Sequence, residues 1–192
     1  MKKVISHIFK IVLLSGIFLS VIPTVNAYET VMLNFPLNKG WHKVYYKPGK
    51  TENIVQYVPS GQTKDNFKET VVYHSYKVKG DTYQNALLYL KKQLAPLQTY
   101  AKGLKVTHVK NDRGDAIIIF CAEDINNKGG QCEVMRSTKS HEGVIVIHYV
   151  NRNIKEFWEK KDEWLDRIKK AKTYYSYYRT DYVMNKETYF EL

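Results

Sequence analysis

Short runs of alternating apolar and polar residues, separated by turn-forming residues, make up most of this chain and predict β-strands. Before the first helical segment the predicted strands are 30–35, 41–46, 53–58 and 67–78. Pro48 and Gly49 supply the backbone angles of a tight turn, so the second and third strands are expected to pair as a hairpin. Later strands are predicted at 104–110, 115–123, 131–138 and 143–150. The last is apolar on both faces apart from His148, which is typical of a central strand.

Two other segments carry apolar residues at helical spacing. The first begins at Asp81, and its apolar stripe comprises Ala86, Leu87, Leu90, Leu94 and Leu97. Pro96 is expected to end or kink this helix near Ala95, because its ring clashes with the preceding turn.

The second helical segment spans 154–172, with Asn153 as its predicted N-cap. Its predicted buried stripe comprises Phe157, Trp158, Trp164, Leu165 and Ile168. Strands in local succession with two amphipathic helices predict an α+β fold, in which a mainly antiparallel sheet of about six to seven strands packs against the helices.

The first 27 residues have the pattern of a signal peptide. Lys2 and Lys3 precede a mostly apolar stretch over 8–21, and small residues then lead to expected cleavage between Ala27 and Tyr28. The apolar stretch is short for a bilayer core of about 30 Å, and no later segment approaches a membrane span. We therefore expect an exported protein, periplasmic or secreted, with one domain over 28–172 and a Tyr-rich tail over 173–192.

The two cysteines, Cys121 and Cys132, flank a turn-rich stretch that can join two antiparallel strands. An oxidising destination favours a disulfide bond that staples this hairpin. The alternative is a metal site, but two cysteines without histidines at ligand spacing make a poor one.

Positive charge is concentrated in the first half of the chain. The net charge is +11, of which the first 27 residues contribute three lysines and no acids. Residues 28–113 contain 14 Lys and Arg against 6 Asp and Glu, whereas residues 114–192 contain 13 of each. A one-sided positive field attracts anionic surfaces, so anionic lipid, lipopolysaccharide and acidic polysaccharide are candidate partners, and nucleic acid is disfavoured outside the cell. The alternative is that the lysines only keep an exported protein soluble.

The last 20 residues contain six of the sixteen tyrosines. Exposed aromatic rings beside an arginine can stack on sugars or insert at a lipid interface. Alternatively, the tyrosines complete the core as a final edge strand. Together with the basic first half, this tail gives the candidate partner-binding residues Lys39, Trp41, Lys43, Lys47, Lys50, Tyr174, Tyr175, Tyr177, Tyr178 and Arg179.

The stretch YVPSGQTKDNFKE, residues 57–69, carries a family resemblance. Tyr57, Val58, Pro59, Gly61, Thr63, Asn66 and Glu69 resemble a Y-V-P-x-G-x-T-x-x-N-W-x-E signature of small exported proteobacterial proteins of unknown function. The order of elements is similar to the Mog1/PsbP-like α/β/α sandwich, which implies a protein-binding scaffold. The Lys and Tyr content resembles that of effectors exported by Legionella-like bacteria through type II secretion, which implies a host protein as partner. The turn residues themselves indicate a corner between two strands, with Phe67 filling the core beside it.

No motif fixes a catalytic activity. His141 and Glu142 match the start of HExxH, but residue 145 is isoleucine, so that zinc signature is absent. His74 and His148 lie mid-strand and could meet across a sheet as a metal or acid–base pair, against the alternative of satisfied core histidines. We therefore expect no cofactor, metal or catalytic residue, and a non-catalytic exported binding protein or effector. The alternative is a secreted hydrolase acting on polysaccharide or lipid.

Overall fold

A computed structural model describes residues 28–78, 82–112 and 114–176. Its two helices are α1 (Thr82–Tyr100) and α2 (Ile154–Lys170). Its strands are β1 (Tyr28–Met32), β2 (His42–Lys47), β3 (Glu52–Val58), β4 (Glu69–Lys77), β5 (Ala101–Lys102), β6 (Lys105–Asp112), β7 (Asp115–Ala122), β8 (Asp124–Ile125), β9 (Gln131–Lys139), β10 (Gly143–Asn151) and β11 (Lys172–Ser176).

Seven of the described strands form one antiparallel sheet in the order β2-β3-β4-β10-β9-β7-β6. Strand β10 lies at its centre, and all nine of its residues are buried. This confirms the prediction from its apolar sequence. The hairpin of β2 and β3 is also present, with Lys47 opposite Ile54.

The two helices lie on opposite faces of the sheet. Residues along β10 alternate between these faces, so that Ile145 and Ile147 pack in the cluster that contains Trp164 of α2. Val144 and Val146 pack in the cluster that contains Leu90 of α1. The α+β class, with a seven-stranded sheet and two described helices, is therefore confirmed.

Helix α1 continues through Pro96 to Tyr100, so of the two predicted effects of Pro96, an end or a kink near Ala95, the end does not occur. Leu94 and Leu97 on either side of the proline pack against the sheet. Their burial offsets the backbone hydrogen bond that the proline cannot make. The predicted cap Asp81 lies outside the described residues.

Helix α2 begins as predicted, because the Asn153 side chain accepts a hydrogen bond of 3.1 Å from the Glu156 backbone N–H. Its buried face contains Phe157, Trp164 and Ile168. Trp158 is 53% exposed, so its assignment to the buried stripe is wrong. Among the described residues, neither helix has the length and apolar character needed to cross a membrane.

Strand β1 pairs with β11 as a separate two-stranded sheet, with Thr30 opposite Tyr174. The beginning of the Tyr-rich segment is therefore a strand. Elsewhere, Cys121 of β7 lies directly opposite Cys132 of β9, and the two form a disulfide bond.

Residues 57–69 form a corner between β3 and β4, as the turn residues predict. Gly61 has a φ of +79°, a left-handed conformation that glycine adopts without strain. The Gln62 side chain accepts hydrogen bonds from the backbone N–H groups of Lys68 at 2.6 Å and Glu69 at 3.3 Å. Phe67 is only half-buried, and the Arg152 guanidinium lies 3.9 Å from its ring centroid, so its prediction as a core residue is wrong.

Candidate functional site

A cleft of about 280 Å³ lies between the sheet and the second half of α1. Its floor comes from β4, β7, β9 and β10, and its wall from α1. We call it the histidine cleft. Its polar lining consists of His74, Gln93, Glu133 and His148, and its apolar lining includes Val72, Leu97, Phe120 and Met135.

The strand register brings the two histidines of this cleft together. His148 of β10 lies opposite Val72 of β4, and His74 is two residues further along β4 on the same face. Such diagonal neighbours are within reach of long side chains. The ring centroids are 5.3 Å apart. The prediction that these two mid-strand histidines meet across a sheet is therefore confirmed.

Each imidazole is hydrogen-bonded to a glutamate. Nδ1 of His74 lies 2.8 Å from Oε1 of Glu52, and Nδ1 of His148 lies 3.1 Å from Oε2 of Glu133. The Gln131 amide donates to the other oxygen of Glu133 at 2.6 Å. A carboxylate oxygen only accepts, so in a neutral imidazole Nδ1 carries the proton and Nε2 becomes an acceptor.

The acceptor on His148 has no donor. Its Nε2 atom is buried and makes no hydrogen bond among the described residues. The whole residue is 93% buried, since its exposure is 7%. His148 is one of the residues that line the cleft, and its Nε2 is a buried hydrogen-bond acceptor.

A hydrogen bond also connects α1 to strand β4 of the sheet. The Gln93 amide of α1 donates to the Tyr76 hydroxyl at 2.5 Å. That hydroxyl is also hydrogen-bonded to Glu52, as is His74. Burial, and next the negative charge of Glu52, raise the pKa of Tyr76 above its ordinary value. Tyr76 therefore remains a neutral hydroxyl that fixes Glu52 behind the His74 ring.

Burial also lowers the pKa of His74 below its ordinary value of 6.5, and the positive charge of a protonated His148 lowers it further. The hydrogen bond that His74 donates to Glu52 opposes both effects without cancelling them. His74 is consequently neutral at pH 7 and above, with Nε2 available to accept a hydrogen bond.

This lowered pKa makes the stability of the fold depend on pH. Below pH 6.5 the unfolded chain binds the His74 proton more readily than the folded chain, so the unfolding free energy falls as the pH falls toward the folded-state pKa. The slope has an upper limit of about 1.4 kcal/mol per pH unit for one proton. We expect His74→Gln to flatten the pH profile from urea unfolding in this window, whereas the same change at the exposed His108 should leave it unaltered.

Among the described residues, none of those lining the histidine cleft is a lysine or arginine. Its ionisable lining groups are Glu133, Tyr100 and the two histidines, with Glu52 hydrogen-bonded to His74. The described part of the chain also has no group of three or more His, Cys, Asp or Glu side chains able to hold a metal ion.

Two predicted partner-binding residues lie elsewhere and are structural. Trp41 is 7% exposed and packs in the core, 5.1 Å from Phe35 and 5.3 Å from Trp164 between ring centroids. Lys39 forms an ion pair with the buried Glu69. Core packing therefore contradicts the assignment of Trp41 to an exposed binding face, whereas Lys39, ion-paired but partly exposed, stays a prediction.

The remaining predicted residues fall on separate elements. Lys43 lies 5.8 Å from the centroid of the Tyr46 ring, while Lys47 and Lys50 are exposed beside the turn between β2 and β3. Tyr174 on β11 is 38% exposed, and Tyr175 follows it in the same strand. Tyr177, Tyr178, Arg179 and Ala27 lie outside the described residues, which begin at Tyr28.

The site residues that sequence reasoning missed are Glu52, Tyr76, Gln93 and Glu133. Their contribution depends on strand register and on the placement of α1, which apolar periodicity does not specify. The one available signal was a histidine at the middle of each of two apolar strands.

Similarity to known proteins adds no assignment for this cleft. No protein-family model matches the chain, and no curated protein is significantly similar to it. The resemblance of residues 57–69 to exported proteobacterial proteins therefore stays a prediction.

Proposed function

We propose that this chain is an exported, non-catalytic binding protein and that the histidine cleft holds its ligand. The observation that carries the proposal is the buried Nε2 of His148, an acceptor without a donor among the described residues, in a side chain that lines the cleft. Leaving a buried polar atom unpaired costs about 1–3 kcal/mol. A ligand that donates a hydrogen bond to this atom would recover that free energy.

The shape of the cleft supports a small ligand. Its volume of about 280 Å³ lies just below the usual range for ligand sites, about 300–1,000 Å³. The walls are mostly apolar, and the polar groups converge on one side where the two imidazoles meet. This combination of apolar walls and a few fixed polar groups is typical of small-molecule sites.

A binding function is favoured over hydrolysis by the composition of the cleft. Imidazole–carboxylate pairs serve as general bases in hydrolases, usually beside a serine, threonine or cysteine nucleophile. The lining residues, all within the described chain, include none of these three types. The alternative of a lipid hydrolase therefore has less support.

Binding of an anionic surface or a host protein through exposed lysines also stays a prediction. Lys47 and Lys50 are exposed at one hairpin, but Lys39 and Trp41 are engaged within the fold. The histidine cleft is favoured over this surface because it contains an unsatisfied buried group.

The test is a titration of the purified protein with a panel of small alcohols, amines and carboxylates, observed through the NMR resonances of the histidine rings. We expect at least one compound to shift the His74 and His148 resonances together and saturably. The variant His148→Phe, which keeps a ring but lacks the acceptor, should bind that compound at least ten-fold more weakly.

The matched control is His108→Phe, since His108 is exposed on β6 at an edge of the sheet. It should bind the same compound as the wild type does. The proposal is contradicted if no compound shifts the two cleft histidines, or if both variants bind equally well.

A further inference from the structure

The local charge of the histidine cleft is opposite to that of the whole protein. The chain carries a net charge of +11. Among the described residues, Glu133 pairs with His148 and Glu52 pairs with His74. When those imidazoles are neutral, both carboxylates lack a cation among the described residues. A carboxylate removed from water, as that of Glu133 is, is normally paired with a positive charge, so the cleft favours a cation.

The two imidazoles are each hydrogen-bonded to one of these carboxylates. Each ring donates from Nδ1 to its glutamate, at 2.8 Å for His74 and 3.1 Å for His148. Each Nε2, at the opposite edge of its ring, can then accept a hydrogen bond. An ammonium group has three N–H donors and no acceptor, which suits two neighbouring imidazole acceptors, each hydrogen-bonded to a carboxylate.

The rest of the cleft is suited to an apolar chain. Val72, Leu97, Phe120 and Met135 line it, and Tyr100 of α1 adds an aromatic ring. An aliphatic chain attached to the ammonium would replace water along these side chains.

We infer that the ligand of the histidine cleft is a small organic cation, a primary ammonium carried on an apolar chain. The inference rests on the proposed function and adds the chemical class of the ligand. A carboxylate of the same shape would meet two carboxylates and, among the described lining residues, no lysine or arginine. A matching alcohol would bring one donor and no charge, so both should bind more weakly than the amine.

The direct experiment compares 1-hexylamine, 1-hexanol and hexanoate at pH 8, where the amine remains protonated like a lysine side chain. Dissociation constants come from the shifts of the His74 and His148 ring resonances, which separate cleft binding from binding elsewhere. We expect hexylamine to bind at least ten-fold more tightly than hexanol, and hexanoate to leave both rings unshifted.

Two variants test whether the charge of the carboxylates causes the preference for the amine over the alcohol. Glu133→Gln and Glu52→Gln each keep an oxygen that accepts from the imidazole but remove the charge. Each should weaken hexylamine binding about ten-fold and change hexanol binding less than two-fold. Glu52 is only half-buried, so its variant remains informative if Glu133→Gln fails to fold. Glu163→Gln on α2, an exposed glutamate on the opposite face of the sheet, is the matched control and should bind all three compounds as the wild type does.

The inference is overturned if hexanol or hexanoate binds as tightly as hexylamine, or if the two glutamine variants retain full hexylamine affinity. If hexylamine leaves the rings unshifted while another compound of the panel shifts them, the ammonium assignment fails and the proposed binding function stands. If no compound of any charge shifts the ring resonances, the ammonium assignment and the proposed binding function both fail.

Discussion

Replacing Trp164 with alanine should lower the unfolding free energy by about 3–5 kcal/mol, which is the range for removing a large buried aromatic side chain. Trp164 of α2 is 1% exposed. Its ring stacks on Tyr149 of β10 at 4.1 Å and meets the edge of Trp41 at 5.3 Å. The cavity left by alanine would lie between α2 and the central strand. Equilibrium unfolding in urea measures the change.

Trp158 provides a matched control on the same helix. It is 53% exposed, so its replacement by alanine should change the unfolding free energy by less than about 1 kcal/mol. Equal losses for the two tryptophans would contradict the packing of α2 described above, because they would place both side chains in similar surroundings.

Replacing Glu69 with alanine should lower the unfolding free energy by about 3 kcal/mol, because it leaves buried partners unpaired. This is the second largest loss of stability that we expect. Glu69 is 4% exposed and accepts a hydrogen bond of 2.9 Å from the Tyr149 hydroxyl. It also pairs with Lys39 and lies 3.6 Å from the Lys160 ammonium. Both lysines remain partly exposed and can reach water, which keeps the loss at the lower end for buried ion pairs.

Two further variants separate the charge of Glu69 from its hydrogen bond. Glu69→Gln keeps an acceptor for the Tyr149 hydroxyl, so it should lower the unfolding free energy by less than Glu69→Ala does. Glu163→Ala removes an exposed partner of Arg167 and should change stability by less than about 1 kcal/mol. A Glu69→Ala loss as small as that of Glu163→Ala, measured by urea unfolding, would show that the buried cluster contributes nothing.

The sheet could be predicted from sequence because its strands have strong local signals. The apolar run of β10 marks a strand covered on both faces, and Pro48 and Gly49 mark the turn of the β2–β3 hairpin. The end of α1 could not be predicted in the same way. Pro96 disfavours the helix locally, and only the burial of Leu97 against the sheet, a tertiary contact, outweighs that preference.

The site was harder to predict because the two residues of each histidine–glutamate pair are distant in sequence. His74 and Glu52 are 22 residues apart, and His148 and Glu133 are 15 apart. Antiparallel register brings each pair together, and neither spacing resembles a known motif. The candidate lysines came instead from the charge of the first half of the chain, which gives no position on the surface and no warning that Lys39 pairs with Glu69.

Net charge was therefore a poor guide to the chemistry of the cleft. A chain with an excess of lysines favours anionic partners over its whole surface. Within a few ångströms of the two imidazoles, however, the charged neighbours are carboxylates. At short range and low solvent access these neighbours dominate, since distant exposed charges are screened over about 8 Å at physiological salt.

The most direct test of the central claim is the protonation state of the two cleft histidines, measured by ¹⁵N NMR of histidine-labelled protein at pH 8. The account predicts that each ring carries a proton on Nδ1, toward Glu52 or Glu133, and none on Nε2. A proton on Nε2 of either ring would remove the acceptor on which the binding site depends and would contradict the account.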